Sequence, residues 1–183
     1  MKIYKILVLI LFICNFFFSA QSSQTNVLDK LFEQLIKTKD LNNAERLEKK
    51  IWSVWNKHPK DNGLTDKMEF GIELMQYGDY YYALRVFDNI IVADPQWSEA
   101  WNKRATVHFL MNKLTNSLDD IDKVLSIEPR HFGALSGQAR IFIKLQEYEK
   151  AILSIKRALV FYPSFKNGAL IAEIERLIKE ESI

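Results

Sequence analysis

The chain has 183 residues, of which 48% are hydrophobic and 26% are charged, and its formal net charge is +2. This length and composition are typical of one globular domain with a packed core, and they exclude collagen-like and intrinsically disordered chains. Outside residues 1–20, which carry Lys2 and Lys5, 23 basic and 23 acidic side chains balance, so charge gives no reason to expect binding to nucleic acid or to an anionic membrane surface.

Residues 1–20 have the layout of a secretory signal peptide. A short basic start is followed by an apolar run over 6–18 and then by small and polar residues. The run is shorter than the about 20 apolar residues of a membrane-spanning helix, so we expect cleavage, loss of Cys14 and export, to the periplasm if the source is bacterial. The alternative is an uncleaved membrane anchor, because Phe18 is bulky where a small residue is preferred before the cleavage site.

Two amphipathic helices are predicted in the segment 26–62. Apolar residues recur at helical spacing in both halves of the segment, and Asp40 and Asn42 are candidate caps for the second helix. We therefore expect a helical hairpin in front of the units described next. Its second helix carries two tryptophans, Trp52 and Trp55.

Four sequence slots recur with a period of 34 residues after this hairpin. One slot holds a closing proline, two hold small residues and the fourth holds a large apolar residue. In that order they are filled by Pro95, Pro129 and Pro163; Gly71, Ala105 and Ala139; Ala83, Ser117 and Ala151; and Phe87, Ile121 and Ile155. The period predicts three units, over 64–97, 98–131 and 132–165.

Each slot has a physical role in a pair of antiparallel helices. Small residues are needed where two helices cross closely, because a larger side chain there would hold the helices apart. Proline cannot continue a helix and favours an extended residue before it, so it ends each unit. The period and the slots resemble the tetratricopeptide repeat (TPR), whose helix pairs stack into an α-solenoid. The resemblance implies an all-α fold in which the units form a right-handed superhelix.

The flanking segments match the repeat less well. The hairpin of 26–62 ends near Pro59, but Leu35 and Leu47 stand where the family has small residues. We therefore predict a TPR-like hairpin and not a full repeat. The last stretch, 166–183, has an apolar stripe at helical spacing and many charged residues, and it is predicted to be a capping helix.

The resemblance also implies where a partner would bind, since the first helix of each TPR unit lines a concave groove. Carried over to this sequence, the candidate groove residues are Met68, Ile72 and Met75 in the first unit, Asn102, Thr106 and Phe109 in the second, and Arg140, Ile143 and Lys144 in the third. Apolar members would contact a peptide, and the basic pair would meet an acidic group. The alternative is that Met68, Ile72 and Phe109 pack between neighbouring helices.

One partner class of the family is not expected. Chaperone-binding TPR domains hold a C-terminal carboxylate with a lysine and an asparagine on the first helix of their first unit. Met68 and Ile72 occupy those two positions here, so the required donors are missing.

An ion pair is predicted inside the second unit. Arg104 precedes the small residue of the first helix, and Asp120 lies on the second helix, in an arrangement that resembles a subset of TPR units. Because the two helices are antiparallel, these side chains can meet. We expect a structural pair that replaces an apolar contact.

No residues in the sequence converge on a catalytic centre. His58, His108 and His131 have no second ligand at metal-binding spacing, and phosphate-binding and nucleophile motifs are missing. We expect a non-enzymatic scaffold that needs no cofactor or metal and binds a protein or peptide partner. The alternative is a structural subunit of a membrane-associated complex, which docks through its convex face or through Trp52 and Trp55 of the hairpin.

Overall fold

A computed structural model describes residues 24–181, and these residues form helices and turns without a β-strand. The long helices are α1 (24–37), α2 (Leu41–Trp55), α3 (Asn62–Gln76), α4 (Tyr80–Ala93), α5 (Ser98–Leu110), α6 (Leu114–Ile127), α7 (Phe132–Lys144), α8 (Tyr148–Phe161) and α9 (Leu170–Glu181), with a short 3-10 helix at Lys166–Ala169. None of the described helices combines the length and apolar character needed to cross a membrane. The predicted signal peptide or anchor and Cys14 lie outside the described residues.

The helices α3 to α8 form three consecutive pairs, α3–α4, α5–α6 and α7–α8. Each pair packs within itself and against the next pair along the chain, which confirms the expected all-α solenoid of helix pairs. The first pair begins at Asn62, because the carboxylate of Asp61 accepts the N–H of Leu64 at 3.1 Å and caps the helix there.

The small residues lie where the two helices of each pair cross. A Cβ atom on Gly71 would be 2.6 Å from Cε1 of the buried Phe87 ring. In the second pair, the Ser117 hydroxyl donates to the carbonyl oxygen of Ala105 at 2.7 Å. These contacts require close backbones, as the 34-residue pattern predicts.

The turn inside each pair needs one residue in the left-handed region. Gly78 has φ 85°, while Asn112 and Gln146 both have φ 59°. These positions are also 34 residues apart, so the repeat continues in the backbone although the residue type changes. Glycine and asparagine adopt this conformation at little cost, whereas glutamine does so less readily.

The N-terminal hairpin, α1–α2, does not stack on α3 as a preceding repeat would. Its buried residues share one apolar cluster with the second and third pairs. Phe32 of α1 lies 6.3 Å from Phe132 of α7, measured between ring centroids. Leu35 and Leu47, which are both buried, fill the hairpin's own interior where a true repeat would have small residues. The hairpin therefore packs as a separate element across the turns that precede α7 and α9.

Polar contacts hold the hairpin in this position. Arg130, in the turn before α7, donates to Asp29 of α1 at 2.6 Å. The indole N–H of Trp97 donates to the backbone carbonyl of Trp55 at 2.8 Å. Lys166 pairs with Glu45 of α2 at 2.9 Å, but this pair is exposed and adds little stability.

At the other end, α9 covers the last pair. Ile174 is buried in a cluster with Ala139, Tyr148 and Ile155. The charged residues Glu173, Arg176 and Lys179 are exposed on the same helix. An apolar inner face and a charged outer face allow α9 to end the array in water.

The predicted pair between Arg104 and Asp120 is present. The guanidinium donates twice to the carboxylate, from Nε at 2.9 Å and from Nη2 at 2.6 Å, and also donates from Nη1 to Asp88 of α4 at 2.7 Å. Asp120 is buried and Asp88 is exposed. The pair thus joins α5 to α6 and to the preceding unit. Hydrogen bonds to Asp120 raise the pKa of Arg104 above its already high ordinary value.

His108 is partly buried near this pair, with Nε2 3.8 Å from a carboxylate oxygen of Asp120. Burial lowers the pKa of His108, although Asp120 opposes that effect. The imidazole is therefore neutral at pH 7 and adds no positive charge to the cluster. Among residues 24–181, no group of three histidine, cysteine or acidic side chains could hold a metal ion.

The close crossing of α3 and α4 can be tested with two matched substitutions. Gly71→Ala and Gly137→Ala both add a methyl group inside a helix and gain about 0.5–1 kcal/mol of helix propensity. At Gly137 the nearest side-chain atom is 3.6 Å from the new Cβ, while at Gly71 the Phe87 ring must move. We expect Gly137→Ala to raise the urea midpoint and Gly71→Ala to lower it. Equal shifts for the two variants would contradict the close crossing.

The Arg104 pair can be tested in the same way. Arg104→Ala leaves the buried Asp120 carboxylate unpaired, and we expect the free energy of unfolding to fall by about 3 kcal/mol or more. Asp88→Ala removes only the exposed bond and should cost less than about 1 kcal/mol. Urea denaturation at pH 7 measures both. A loss for Asp88→Ala as large as that for Arg104→Ala would show that the exposed bond carries the stability.

Candidate functional site

The first helices of the three pairs and α2 enclose a cavity of about 290 Å³. Five of the predicted groove residues line it, from all three pairs: Met75, Asn102, Thr106, Phe109 and Arg140. The sequence pattern therefore brings together side chains that are far apart in the chain. The cavity is the part of the concave side that remains open.

The other four predicted groove residues do not line this cavity. Lys144 lies beside it, with Nζ 5.8 Å from the centroid of the Phe109 ring. Ile72 packs against the apolar cluster of the first pair, and Ile143 against the cluster that contains α9. Met68 is 0% exposed and belongs to the core between α3, α4 and α5. For Met68 the groove assignment is wrong, because this side of α3 faces its neighbouring helices and not the groove.

The wall formed by α2 was not predicted from the sequence. Trp52 packs edge-on against Phe132, with 5.6 Å between the ring centroids. It also lies directly over Gly133, where a Cβ atom would collide with the indole ring. Lys103 Nζ lies 5.3 Å from the centroid of the same ring. A glycine at a groove-facing position was the only sequence signal that another element packs there. Trp52 is thus an internal contact and a cavity wall.

The second residue of that wall is Glu48. The Tyr162 hydroxyl donates to its carboxylate at 2.9 Å. Burial, together with the neighbouring Glu48, raises the pKa of Tyr162, so the phenol keeps its proton and the hydrogen bond persists at neutral pH. The Tyr162 bond holds Glu48 in place, and Glu48 is the one acidic residue among the described residues that line the cavity.

A buried polar cluster forms the floor of the groove next to the cavity. Its centre is Glu99, whose carboxylate is fully buried and lies 2.8 Å from Lys103 Nζ and 2.8 Å from His131 Nε2. The Asn102 amide donates to the same carboxylate at 3.1 Å. Burial alone would raise the pKa of Glu99, but the charge of Lys103 and the hydrogen bond from His131 outweigh it and lower the pKa to about 2. Glu99 is therefore ionised, and its negative charge is paired with the ammonium group of Lys103.

His131 connects this floor to the hairpin. Its ring stacks on Trp55 of α2 with 3.9 Å between centroids and 7° between planes. Nδ1 accepts the N–H of Ala134 at 3.1 Å, so the ring proton is on Nε2 and is donated to Glu99. Trp55 is buried by this contact, so it is not available to dock in a larger complex, whereas Trp52 is half-buried and keeps a surface towards the cavity.

The open edge of the cavity is basic. Arg140 and Lys144 are exposed on α7, and neither forms an ion pair with any residue between 24 and 181. The half-buried Phe109 lines the same cavity and lies beside Lys144. The arrangement offers an apolar recess beside two cations that form no ion pair with the described residues.

Comparison with known proteins supports the repeat assignment. No protein-family model matches the chain. A TPR repeat-containing protein of Rhizobium etli is 35% identical over 149 residues, which are 80% of this chain and 71% of that protein. The Hsp70–Hsp90 organizing protein of Triticum aestivum is 24% identical over 143 residues, which are 78% of this chain but only 24% of that protein.

Solved structures share the helix-pair architecture. The first TPR domain of Spaghetti (RPAP3), bound to the HSP90 peptide SRMEEVD, gives a TM-score of 0.60 at 20% identity, covering 63% of this chain and 93% of that one. The TPR2B domain of yeast Sti1 in its pHsp70 complex gives 0.56 at 20% identity, covering 67% and 98%. The MamA protein gives 0.54 at 16% identity, covering 86% and 90%. At such identities these likenesses show the fold alone.

The buried Glu99 makes the stability of the folded protein depend on pH. Its folded-state pKa is about 2 against an ordinary value of 4.5, so its contribution is present above pH 4.5 and is lost as the pH falls towards 2. We expect about 3 kcal/mol of the free energy of unfolding to disappear over this range. In Glu99→Gln the loss should be smaller by that amount, as measured by urea denaturation from pH 7 to pH 2.

The matched control is Glu33→Gln. Glu33 pairs with Lys37 on the exposed surface of α1, and this variant should reproduce the wild-type pH profile. If Glu99→Gln showed the same pH profile as the wild type, Glu99 would not be ionised and paired in the folded protein.

Proposed function

The chain belongs to the tetratricopeptide-repeat proteins, and from this premise we propose that it is a non-enzymatic scaffold that binds a peptide or protein segment on its concave side. The observation that carries the proposal is the cavity of about 290 Å³ between α2, α3, α5 and α7. Two of the solved TPR neighbours are complexes with Hsp90 and Hsp70 partners, which shows that this fold can hold peptides. A different partner is expected here, because Met68 and Ile72 stand where the chaperone-binding domains have their lysine and asparagine.

The cavity walls favour a large apolar side chain as the anchor of the bound segment. Trp52, Phe109 and Phe165 contribute aromatic surface, and Met75 adds an adaptable thioether. The volume is at the lower end of the range for ligand pockets. It suits one or two side chains of a peptide and not a large cofactor.

The basic edge favours an acidic residue next to that anchor. Arg140 can form a two-pronged contact with a carboxylate, and Lys144 adds a second positive charge close by. Glu48 is held on the opposite wall by Tyr162. An acidic group would therefore be directed towards α7 and away from α2.

We propose further that the protein is exported and acts in the periplasm or cell envelope. This rests on the basic start, the apolar run over 6–18 and the small residues after it. If the segment is not cleaved, it would anchor the same scaffold to a membrane. Fractionation and the intact mass of the purified chain distinguish the two forms.

The alternative function is a structural subunit that docks through its convex face. Exposed apolar residues on the second helices favour it, namely Val92 of α4 and Leu153 and Val160 of α8. This alternative does not involve the two tryptophans of the hairpin, because Trp55 is buried and the open surface of Trp52 faces the concave cavity.

Selection from a random peptide display library, with the purified protein as bait, tests concave-side binding. We expect peptides with a large apolar residue next to an acidic one. Phe109→Ala and Arg140→Ala should each weaken the selected peptide by about tenfold or more, as measured by calorimetry. Val92→Ala and Val160→Ala are the convex controls and should leave affinity unchanged. Affinity that depends on the convex residues and not on Phe109 would support the structural-subunit alternative.

A further inference from the structure

The outward side of α2 carries a concentration of positive charge. Arg46, Lys49 and Lys50 are exposed, and helical spacing places them away from the buried residues of the same helix. Lys57 is exposed in the turn after α2 and lines a shallow depression together with Ser53. These four cations, with the uncharged Ser53 among them, form what we call the basic face of α2.

The acidic residue that borders this face is already paired. Glu45 lines the same depression as Arg46, and its carboxylate lies 2.9 Å from Nζ of Lys166, which adds a further positive charge. Arg46, Lys50 and Lys57 form no ion pair with any residue between 24 and 181. The balance of charge over the whole chain therefore conceals a local excess of positive charge, which only the folded helix brings together.

The chain enters the described structure beside one end of the basic face. The side-chain amide of Gln24 donates to the backbone carbonyl oxygens of Val54 at 2.9 Å and Lys57 at 3.1 Å, which fixes the start of α1 there. The apolar run over 6–18 is separated from Gln24 by the five residues 19–23, and this distance along the chain spans at most about 22 Å. A membrane that holds the apolar run is therefore within reach of the basic face.

We propose that the basic face of α2 docks on the anionic phospholipid headgroups of the membrane that holds residues 6–18. The choice of a membrane as the occupant rests on the anchored form proposed above. Each lysine or arginine near an anionic surface strengthens binding about fivefold. Four such residues give weak, salt-sensitive binding by themselves, and next to an anchor they fix how the scaffold is oriented.

This docking would direct the concave cavity away from the bilayer. Trp52 and Glu48 line the cavity from the same helix that carries the basic face. With 3.6 residues in each turn, these two side chains lie about 120–160° around α2 from Arg46. The headgroups and a bound peptide would thus contact different sides of α2, so a partner could enter the cavity while the scaffold stays on the membrane.

Vesicle flotation tests the docking with the purified full chain. One set of vesicles is phosphatidylcholine alone, and the other contains phosphatidylcholine and phosphatidylglycerol at about two to one. The ratio of the two partition coefficients cancels the contribution of the apolar run, which enters both kinds of vesicle. We expect the ratio to be about twentyfold or more at low ionic strength and to fall towards one in high salt.

Charge reversals locate the contact on α2. Arg46→Glu/Lys50→Glu should lower the ratio by about tenfold or more, because it replaces two attractive charges with repulsive ones. The matched control, Lys156→Glu/Arg157→Glu, gives the same net charge through exposed residues of α8 and should change the ratio by less than about threefold. Arg46→Lys/Lys50→Arg keeps both charges and should bind as the wild type does. All these side chains are exposed, so the circular dichroism spectra should be unchanged.

Three results would overturn the proposal. They are a wild-type ratio near one, an equal loss in the α8 control, and binding of a single-stranded oligonucleotide through Arg46 and Lys50 without binding of anionic vesicles. The last would assign the face to nucleic acid. Phe109→Ala leaves the basic face intact and should not change the ratio. A failure of peptide binding in the cavity is therefore distinguishable from a failure of docking.

Discussion

The stacked rings of Trp55 and His131 fix the position of the N-terminal hairpin, and the remaining architecture follows from that position. The contact is nearly parallel at 3.9 Å, and His131 is held from the other side by its hydrogen bond to Glu99. The ionised carboxylate of Glu99 is in turn paired with Lys103. A continuous series of contacts therefore runs from α2 to the floor of the groove. Each member limits the conformations of the next.

Two consequences follow from this single placement. On the concave side, α2 adds Trp52 and Glu48 to a surface that the three pairs would otherwise form alone, so an open groove becomes a cavity with an aromatic wall. On the other side, the hairpin no longer covers α3, and Phe70 and Tyr77 remain exposed. The aromatic wall of the proposed peptide site and the exposed aromatic residues of α3 thus have a common structural cause.

The buried charges serve as links between units in a chain whose charges otherwise balance. Arg104 reaches Asp120 in its own unit and Asp88 in the preceding one. Glu99 reaches His131 at the start of the following unit. Such groups are costly to bury unless every partner is present. The stack therefore loses stability if any one of them is removed. A shift of one unit against the next would separate these pairs and is opposed for the same reason.

The sequence by itself determined the three helix pairs, their crossing points at Gly71, Ala105 and Ala139, and the pair between Arg104 and Asp120. These features depend on local periodicity and on contacts within one unit, which a fixed repeat records directly. Only the tertiary structure decided that the hairpin leaves the stack, that Met68 is core and that Trp52 lines the cavity. Those outcomes depend on which aromatic surfaces pack best between distant segments, such as those of Trp55 and His131, which are 76 residues apart. Side-chain packing of that kind has no period in the sequence.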